Sequence, residues 1–133
     1  MLRSRITHTL DSGKSCRLRE SNSGRVVLKR LEVGQGVWQR SVGLIGRASL
    51  APDSGLWLEP CNGVHTWFMR YAIDVVYLDR TGIVLHVAAN VRPWRLCLPM
   101  KGCRSILELP SGAAERIGIL VGSRYEIDEI PAR

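Results

Sequence analysis

The sequence lacks the features of a membrane-spanning or secreted protein. No apolar run approaches the ~20 residues that a helix needs to span a bilayer. The first ten residues, MLRSRITHTL, include two arginines but no continuous apolar segment after them, which argues against a secretory signal peptide. We therefore expect a cytoplasmic protein with no membrane span.

The motifs of the common catalytic and cofactor sites are also missing. There is no glycine-rich phosphate loop, no serine elbow and no HExxH sequence. None of the four cysteines forms the C-x-x-C pair of zinc and thioredoxin sites. The sequence thus predicts no metal, no cofactor and reduced thiols in a cytoplasmic chain. Zinc is an alternative that the spacing supports only weakly, and its ligands would be Cys61, His65, Cys97 and Cys103.

Charge is unevenly distributed along the chain. The 133 residues are 45% apolar and 23% charged, values typical of one soluble globular domain. Residues 1–50 hold ten Lys/Arg and three Asp/Glu, whereas the remainder holds nine of each sign. We expect residues 1–24 to form a basic, flexible arm before a folded domain at 25–133. Such an arm could bind nucleic acid or an acidic partner, although no nucleic-acid-binding motif accompanies it.

Short alternating apolar segments separated by turns predict a mainly β fold. Turn signals recur roughly every ten residues, a pattern typical of a sandwich or barrel. The periodicity at 37–46 predicts one short helix, and 112–117 predicts a helical turn. We expect a compact, single-domain β-barrel or sandwich-like fold of about seven short strands, within 25–33, 56–58, 64–70, 72–78, 83–91, 105–109 and 124–130.

The central stretch CNGVHTWFMRYAIDVVYLD, residues 61–79, carries a family resemblance. Its HTWFM and IDVVYLD pieces, the preceding GLWL at 55–58 and the following Gly82, Pro93 and LEL at 107–109 occur in a recognisable order. On these pieces the chain resembles the DUF192 family over about residues 25–130. The resemblance implies a compact, mostly β, barrel-like domain and no established activity.

Several residues of the central stretch are candidates for chemistry. His65 at the entrance of a strand could act as a general base or bind a ligand with Thr66, or it could lock the turn through a hydrogen bond to a backbone carbonyl. Asp74 and Glu108 each lie between apolar neighbours, so they could form an acid/base pair with shifted pKa values. They could equally accept hydrogen bonds from backbone amides or pair with arginines. Cys61 is a further candidate, as a nucleophile that His65 would activate.

The segment Arg92-Pro93-Trp94-Arg95 is the best candidate for surface recognition. An aromatic ring between two guanidinium groups can stack on a planar ligand or hold a carboxylate or phosphate, or the ring could fold back over the barrel rim. We expect Trp67, Phe68 and Met69 to belong to the core.

Three functional hypotheses follow. The leading one is a non-catalytic module that binds a small molecule or protein near His65 and Thr66, with Arg92, Trp94 and Arg95 at the rim. The second is a hydrolase-type enzyme that uses His65 with Asp74, Glu108 or Cys61. The third is nucleic-acid or acidic-partner binding through the basic arm, which the sequence favours less.

Overall fold

The fold is mainly β, as the alternation predicts. A computed structural model describes residues 15–34, 50–67 and 69–130. In chain order the elements of this part are β1 (Ser15–Glu20), β2 (Val26–Gly34), β3 (Ser54–Leu58), β4 (Val64–His65), β5 (Ile73–Asp79), β6 (Val84–Val91), β7 (Leu96–Cys97), β8 (Cys103–Pro110), α1 (Ala113–Ile117) and β9 (Tyr125–Ile130). No helix within these residues is long and apolar enough to cross a membrane.

Seven of the strands form one sheet, in the order β6-β5-β8-β3-β2-β1-β9. Its neighbours pair antiparallel except for β2 and β3, which are parallel. The two outer strands of this order approach each other through a bridge between Ile83 and Arg124, and Val84 donates its N–H to the carbonyl of Ser123 at 2.8 Å. The two outer strands of the sheet therefore approach each other at this end.

The hairpin between β5 and β6 is built as the sequence predicts. Asp79 closes the turn, because its Oδ1 accepts hydrogen bonds from the N–H groups of Thr81 (2.8 Å) and Ile83 (3.0 Å). Gly82 takes a left-handed conformation with φ of 90°, which a side chain would strain. A Cβ there would also lie 2.3 Å from the carbonyl oxygen of Tyr125. Only glycine lets this turn approach β9 so closely.

One sequence-based expectation is wrong at the start of the domain. The predicted arm at 1–24 includes residues 15–20, which form β1 between β2 and β9. Cys16 and Leu18 are buried, whereas Arg17 and Arg19 alternate with them and bind Asp128 at 2.7 and 2.6 Å. The strand alternation is therefore present within the basic segment. The rest of the predicted arm, residues 1–14, and the predicted helix at 37–46 lie outside the described residues.

The apolar side chains divide between two clusters on opposite faces of the sheet. The cluster on one face, here called the inner cluster, draws on strands throughout the sheet; its members include Leu18, Leu28, Trp57, Val76, Leu107 and Leu109. Three side chains of α1 complete it (Ala113, Ala114 and Ile117). The outer cluster lies on the other face of β3, β5 and β8; it includes Leu58, Ile73, Val75, Tyr77 and Ile106. Residues on β4 and β7 cover this outer cluster, so the small sheet and α1 lie on opposite sides of β5.

Candidate functional site

The small sheet that covers the outer cluster consists of two residues from each of β4 and β7. Val64 pairs with Cys97, and both are buried in the outer cluster. His65 pairs with Leu96, so these two side chains project from the other, outward face. Close approach of the two segments requires Gly63, where a Cβ would lie 2.8 Å from the carbonyl oxygen of Cys97.

Thr66 fastens the segment after β6 to the end of β4. It is fully buried, and its Oγ1 donates a hydrogen bond to the carbonyl of Arg92 at 2.7 Å and accepts one from the N–H of Arg95 at 2.9 Å. Its backbone adds two more, because the N–H of Thr66 donates to the carbonyl of Arg95 and the N–H of Trp94 donates to the carbonyl of Thr66. One threonine thus fixes three of the four residues of the RPWR segment.

Trp94 has a backbone conformation that bulky residues seldom adopt. Its φ is 66°, in the left-handed region, which costs an ordinary residue about 1–2 kcal/mol. The hydrogen bonds to Thr66 on both sides hold it there. Strain maintained by such over-determined contacts is a recurrent feature of functional loops.

His65 interacts with its near neighbour Trp67. Its Nδ1 accepts a hydrogen bond from the N–H of Trp67 at 3.3 Å, and the two rings lie 4.7 Å apart with planes inclined by 30°. Because Nδ1 accepts, the proton of the neutral ring lies on Nε2. This hydrogen bond joins the His65 side chain to a backbone amide within the same turn.

Four large apolar side chains are exposed around Thr66. The exposed fractions are 45% for Trp67, 57% for Trp94, 59% for Leu96 and 66% for Leu98. The expectation that Trp67 belongs to the core is therefore wrong, whereas Met69 is buried as expected; Phe68 lies outside the described residues. We call residues 65–67 and 92–98 the Thr66 surface.

The Thr66 surface is also positively charged. Arg92 and Arg95 are exposed, as is Arg70 close by in sequence. The two chain segments that build this region, 60–72 and 91–102, contain no Asp or Glu. These two segments therefore combine exposed aromatic rings, leucines and guanidinium groups with no acidic side chain.

The two candidate carboxylates lie on opposite faces of the sheet. In the pairing of β5 with β8, Asp74 is opposite Leu109 and Val75 is opposite Glu108. Paired residues point to the same side, so Asp74 faces the inner cluster and Glu108 faces the outer one. The β-sheet therefore separates these two residues, an arrangement that does not favour the acid/base-pair alternative.

Asp74 instead connects three elements. It is fully buried, and its Oδ1 accepts a hydrogen bond from the N–H of Asn90 and its Oδ2 one from the N–H of Ala114, both at 2.9 Å. This is the backbone-capping alternative for a buried carboxylate. His65 belongs to the small sheet on the other side of β5, so the main sheet also lies between Asp74 and His65.

The thiols near the small sheet have features of structural groups. Cys61 donates its Sγ–H to the carbonyl of Gly63 at 3.2 Å. Burial raises the pKa of the Cys103 thiol to about 11, so this group stays protonated at neutral pH and is a poor nucleophile. Burial and the neighbouring Cys97 raise the pKa of the Tyr77 phenol, whose O–H donates to the carbonyl of Leu98 at 2.9 Å. Among the described residues, no group of three or more His, Cys, Asp and Glu side chains is arranged to hold a metal ion.

Sequence reasoning identifies most of the Thr66 surface but misses its leucines. The predicted binding residues His65, Thr66, Trp94 and the two arginines come together around one buried hydroxyl. Leu96 and Leu98 are missed because isolated leucines ordinarily indicate core. Their alternation with the buried Cys97, in a segment without acids, is the signal that could have revealed them.

The fold and its sequence have relatives in bacteria and archaea. The chain superposes on a protein of unknown function from Novosphingobium aromaticivorans with a TM-score of 0.69 and 24% identity, covering 84% of this chain and 83% of that one. It superposes on a protein from Sinorhizobium meliloti with a TM-score of 0.70 and 23% identity, covering 90% and 97%. At these identities the likeness concerns the fold alone.

The curated relatives are archaeal proteins without an assigned activity. A UPF0127 protein of Pyrococcus furiosus is 38% identical over 63 residues, covering 47% of this chain and 53% of its own length. A UPF0127 protein of Thermococcus sibiricus is 32% identical over 68 residues, covering 50% and 44%. The chain thus spans about half the length of the curated relatives it matches. The family model DUF192, described as "Uncharacterized ACR, COG1430", matches residues 18–127, and the chain therefore belongs to the DUF192 family.

Proposed function

We propose that this protein is a non-catalytic binding module whose recognition site is the Thr66 surface. The ligand carries an anionic group next to an apolar or planar part. The observation that carries the proposal is the strained presentation of Trp94 between two exposed arginines, held by the hydroxyl of the buried Thr66. A fold that needed this segment only as a connection would have no reason to hold a tryptophan at a positive φ.

The chemistry of the ligand follows from the side chains that surround Trp94. A guanidinium group binds a carboxylate or phosphate through two parallel hydrogen bonds, and an aromatic ring offers a face for stacking. Arg92 and Arg95 flank Trp94 in the chain and are exposed. These guanidinium donors favour an anion over a neutral ligand.

The hydrolase alternative receives little support from the geometry. An acid/base mechanism needs its groups within hydrogen-bond reach of one another. Asp74 faces the inner cluster and is committed to two backbone amides, so the sheet separates it from both His65 and Glu108. The Cys61 thiol donates to the carbonyl of Gly63.

The test of the proposal uses two aromatic probes that differ in charge. Naphthoate anion and its neutral amide, naphthamide, are titrated separately into nitrogen-labelled protein, and amide NMR shifts are recorded. We expect naphthoate to shift the amides of Thr66, Trp94 and Arg95, and naphthamide to have a much weaker effect. Equal responses to both probes, or naphthoate shifts confined to residues outside the Thr66 surface, would refute the proposal.

The basic arm requires a separate test with revised boundaries. Deletion of residues 1–24 would remove β1 from between β2 and β9, so only residues 1–14 are removed. If the arm binds nucleic acid, the full chain binds an oligonucleotide with an affinity that falls steeply with salt, and the shortened chain loses that binding. Unchanged binding after the deletion would exclude the arm.

A further inference from the structure

The four exposed apolar side chains of the Thr66 surface suggest a ligand larger than a small molecule. Trp67, Trp94, Leu96 and Leu98 each expose between 45% and 66% of their area. Single exposed apolar residues are ordinary, whereas a contiguous group of them marks an interaction surface. We propose that the Thr66 surface docks on the headgroup region of an anionic lipid bilayer. This inference rests on the proposed function, because it names the ligand of the same surface.

The continuity of the patch follows from the backbone contacts. Leu96 lies directly across from His65 in the small sheet, and the His65 ring contacts the Trp67 ring. Trp94 is hydrogen-bonded through its N–H to Thr66, the residue between His65 and Trp67. Leu98 follows Leu96 on the same side, since Cys97 between them is buried. The apolar groups thus belong to one surface rather than to separate loops.

The combination of residue types fits a lipid interface. Tryptophan is enriched at the level of lipid headgroups because its ring is amphipathic. Exposed leucines can insert at the boundary between lipid headgroups and acyl chains, as the apolar face of an amphipathic membrane-surface helix does. The leucines also argue against single-stranded nucleic acid, which is bound by aromatic stacking and basic grooves rather than by aliphatic side chains.

The charges complement an anionic membrane rather than a neutral one. Arg70, Arg92 and Arg95 are exposed close to the apolar group, and segments 60–72 and 91–102 contain no acidic residue. Basic residues near a membrane surface gain attraction from anionic lipids, and this attraction is screened by salt. The protein would lie on such a surface and not cross it.

The experiment is co-sedimentation of the full-length protein with vesicles. Vesicles of phosphatidylcholine alone are compared with vesicles that also contain phosphatidylserine at about 30 mol%, a strongly anionic composition. We expect partitioning onto the anionic vesicles at low salt, at least about tenfold stronger than onto the neutral ones, and a progressive loss as salt is added.

Variants identify the surface responsible for binding. Leu96→Ser with Leu98→Ser, and separately Arg92→Gln with Arg95→Gln, should each lower partitioning about tenfold. The matched apolar control is Leu120→Ser with Val121→Ser, a similarly exposed pair that lies after α1. The matched charge control is Lys29→Gln with Arg80→Gln, two exposed cations on β2 and in the β5–β6 turn. Circular dichroism of each variant verifies that the fold is retained.

The outcomes separate the lipid proposal from its alternatives. Binding to anionic vesicles that falls in the two surface variants and persists in both controls supports it. No binding to anionic vesicles, or an equal loss in the controls, overturns it. Tighter binding to an oligodeoxythymidylate than to vesicles, insensitive to the leucine variant, also overturns it in favour of nucleic acid. Naphthoate binding without vesicle binding would leave the proposed function standing and refute only the lipid inference.

Discussion

Asp74 and Thr66 are two fully buried polar side chains on opposite sides of the sheet, and both form hydrogen bonds with the backbone of distant segments. Asp74 accepts hydrogen bonds from the amides of Asn90 and Ala114, and Thr66 binds the backbone of Arg92 and Arg95. Each joins chain segments that are far apart in sequence. The difference lies in what the joined segments present to the outside.

The segment held by Asp74 turns its side chains inward. Ala113, Ala114 and Ile117 of α1 are buried in the inner cluster, so this contact completes the core. The segment held by Thr66 turns Trp94 and Leu96 outward, beside exposed arginines. A buried hydrogen-bonding group is therefore not by itself evidence for function. The surroundings distinguish a group that stabilises the fold from one that positions a surface.

The largest expected effect comes from Asp74→Asn, which tests the structural half of this comparison. The amide nitrogen would meet the N–H of either Asn90 or Ala114, so two donors would face each other in a buried site. We expect a loss of about 3 kcal/mol in the free energy of unfolding, measured by urea denaturation. Asp53→Asn, at an exposed turn, is the control and should change stability by less than about 0.5 kcal/mol. A loss below about 1 kcal/mol for Asp74→Asn would contradict the assigned role.

Thr66→Val tests the second buried polar side chain, and we expect the second largest loss of stability from it. Valine keeps the shape but removes the hydroxyl, leaving the carbonyl of Arg92 and the N–H of Arg95 without this partner. We expect a loss of about 2 kcal/mol in the free energy of unfolding and a weaker affinity for naphthoate. Thr66→Ser keeps the hydroxyl, so it should retain most of the wild-type stability and most of the affinity for naphthoate. If the serine variant is as destabilised as the valine variant, the hydroxyl is not the cause.

Replacement of Trp94 separates strain from recognition. Glycine tolerates the left-handed φ of 66°, whereas alanine does not, so Trp94→Gly should be more stable than Trp94→Ala by about 1 kcal/mol. Both variants should lose naphthoate binding, because both lack the ring. Thermal denaturation and NMR titration of the two proteins are compared side by side. Equal stability of the pair would show that the backbone at this position is not strained.

The ion pairs of Asp128 give the smallest expected effect. They show how much a partly exposed contact contributes to the free energy of unfolding. Hydrogen bonds from Arg19 and Arg17 lower the pKa of Asp128 below its ordinary value of about 3.9. A lowered folded-state pKa means that the stabilisation is present above the unfolded-state pKa and is lost as the pH falls through the folded-state pKa.

Asp128→Asn should therefore lower the free energy of unfolding by less than about 1 kcal/mol at neutral pH. Its difference from the wild-type value should close as the pH falls below about 4. Unfolding free energies measured from neutral pH downward check this. If the difference in unfolding free energy stays constant or widens in acid, the ion pairs of Asp128 are not its cause.

The sequence predicts individual strands better than it predicts how distant segments meet. The β5–β6 hairpin follows from alternation and a turn that ends in Gly82, because both signals are local. The alternation also shows that Asp74 needs a partner. It does not identify the amides of Asn90 and Ala114, which lie 16 and 40 residues away. Tertiary packing alone brings these groups together.

The sequence indicates two separate parts of the Thr66 surface but not their contact. The strand entrance at His65 and the RPWR segment each carry a chemical signal. Their contact depends on β4 and β7, which pair through two residues each and are too short to show a period. The sequence does not reveal β1, for a different reason. The buried Cys16 and Leu18 alternate with Arg17 and Arg19, and the charge of the segment obscured that alternation.

The most direct test of the central claim is the affinity for naphthoate of two double variants that remove the same charge. Arg92→Gln with Arg95→Gln alters the Thr66 surface, and Lys29→Gln with Arg80→Gln alters exposed cations elsewhere. The predicted result is a loss of about tenfold or more in the first protein, as expected when charge-assisted hydrogen bonds are removed, and wild-type affinity in the second. Equal affinities in the two variants would contradict the assignment of recognition to the Thr66 surface.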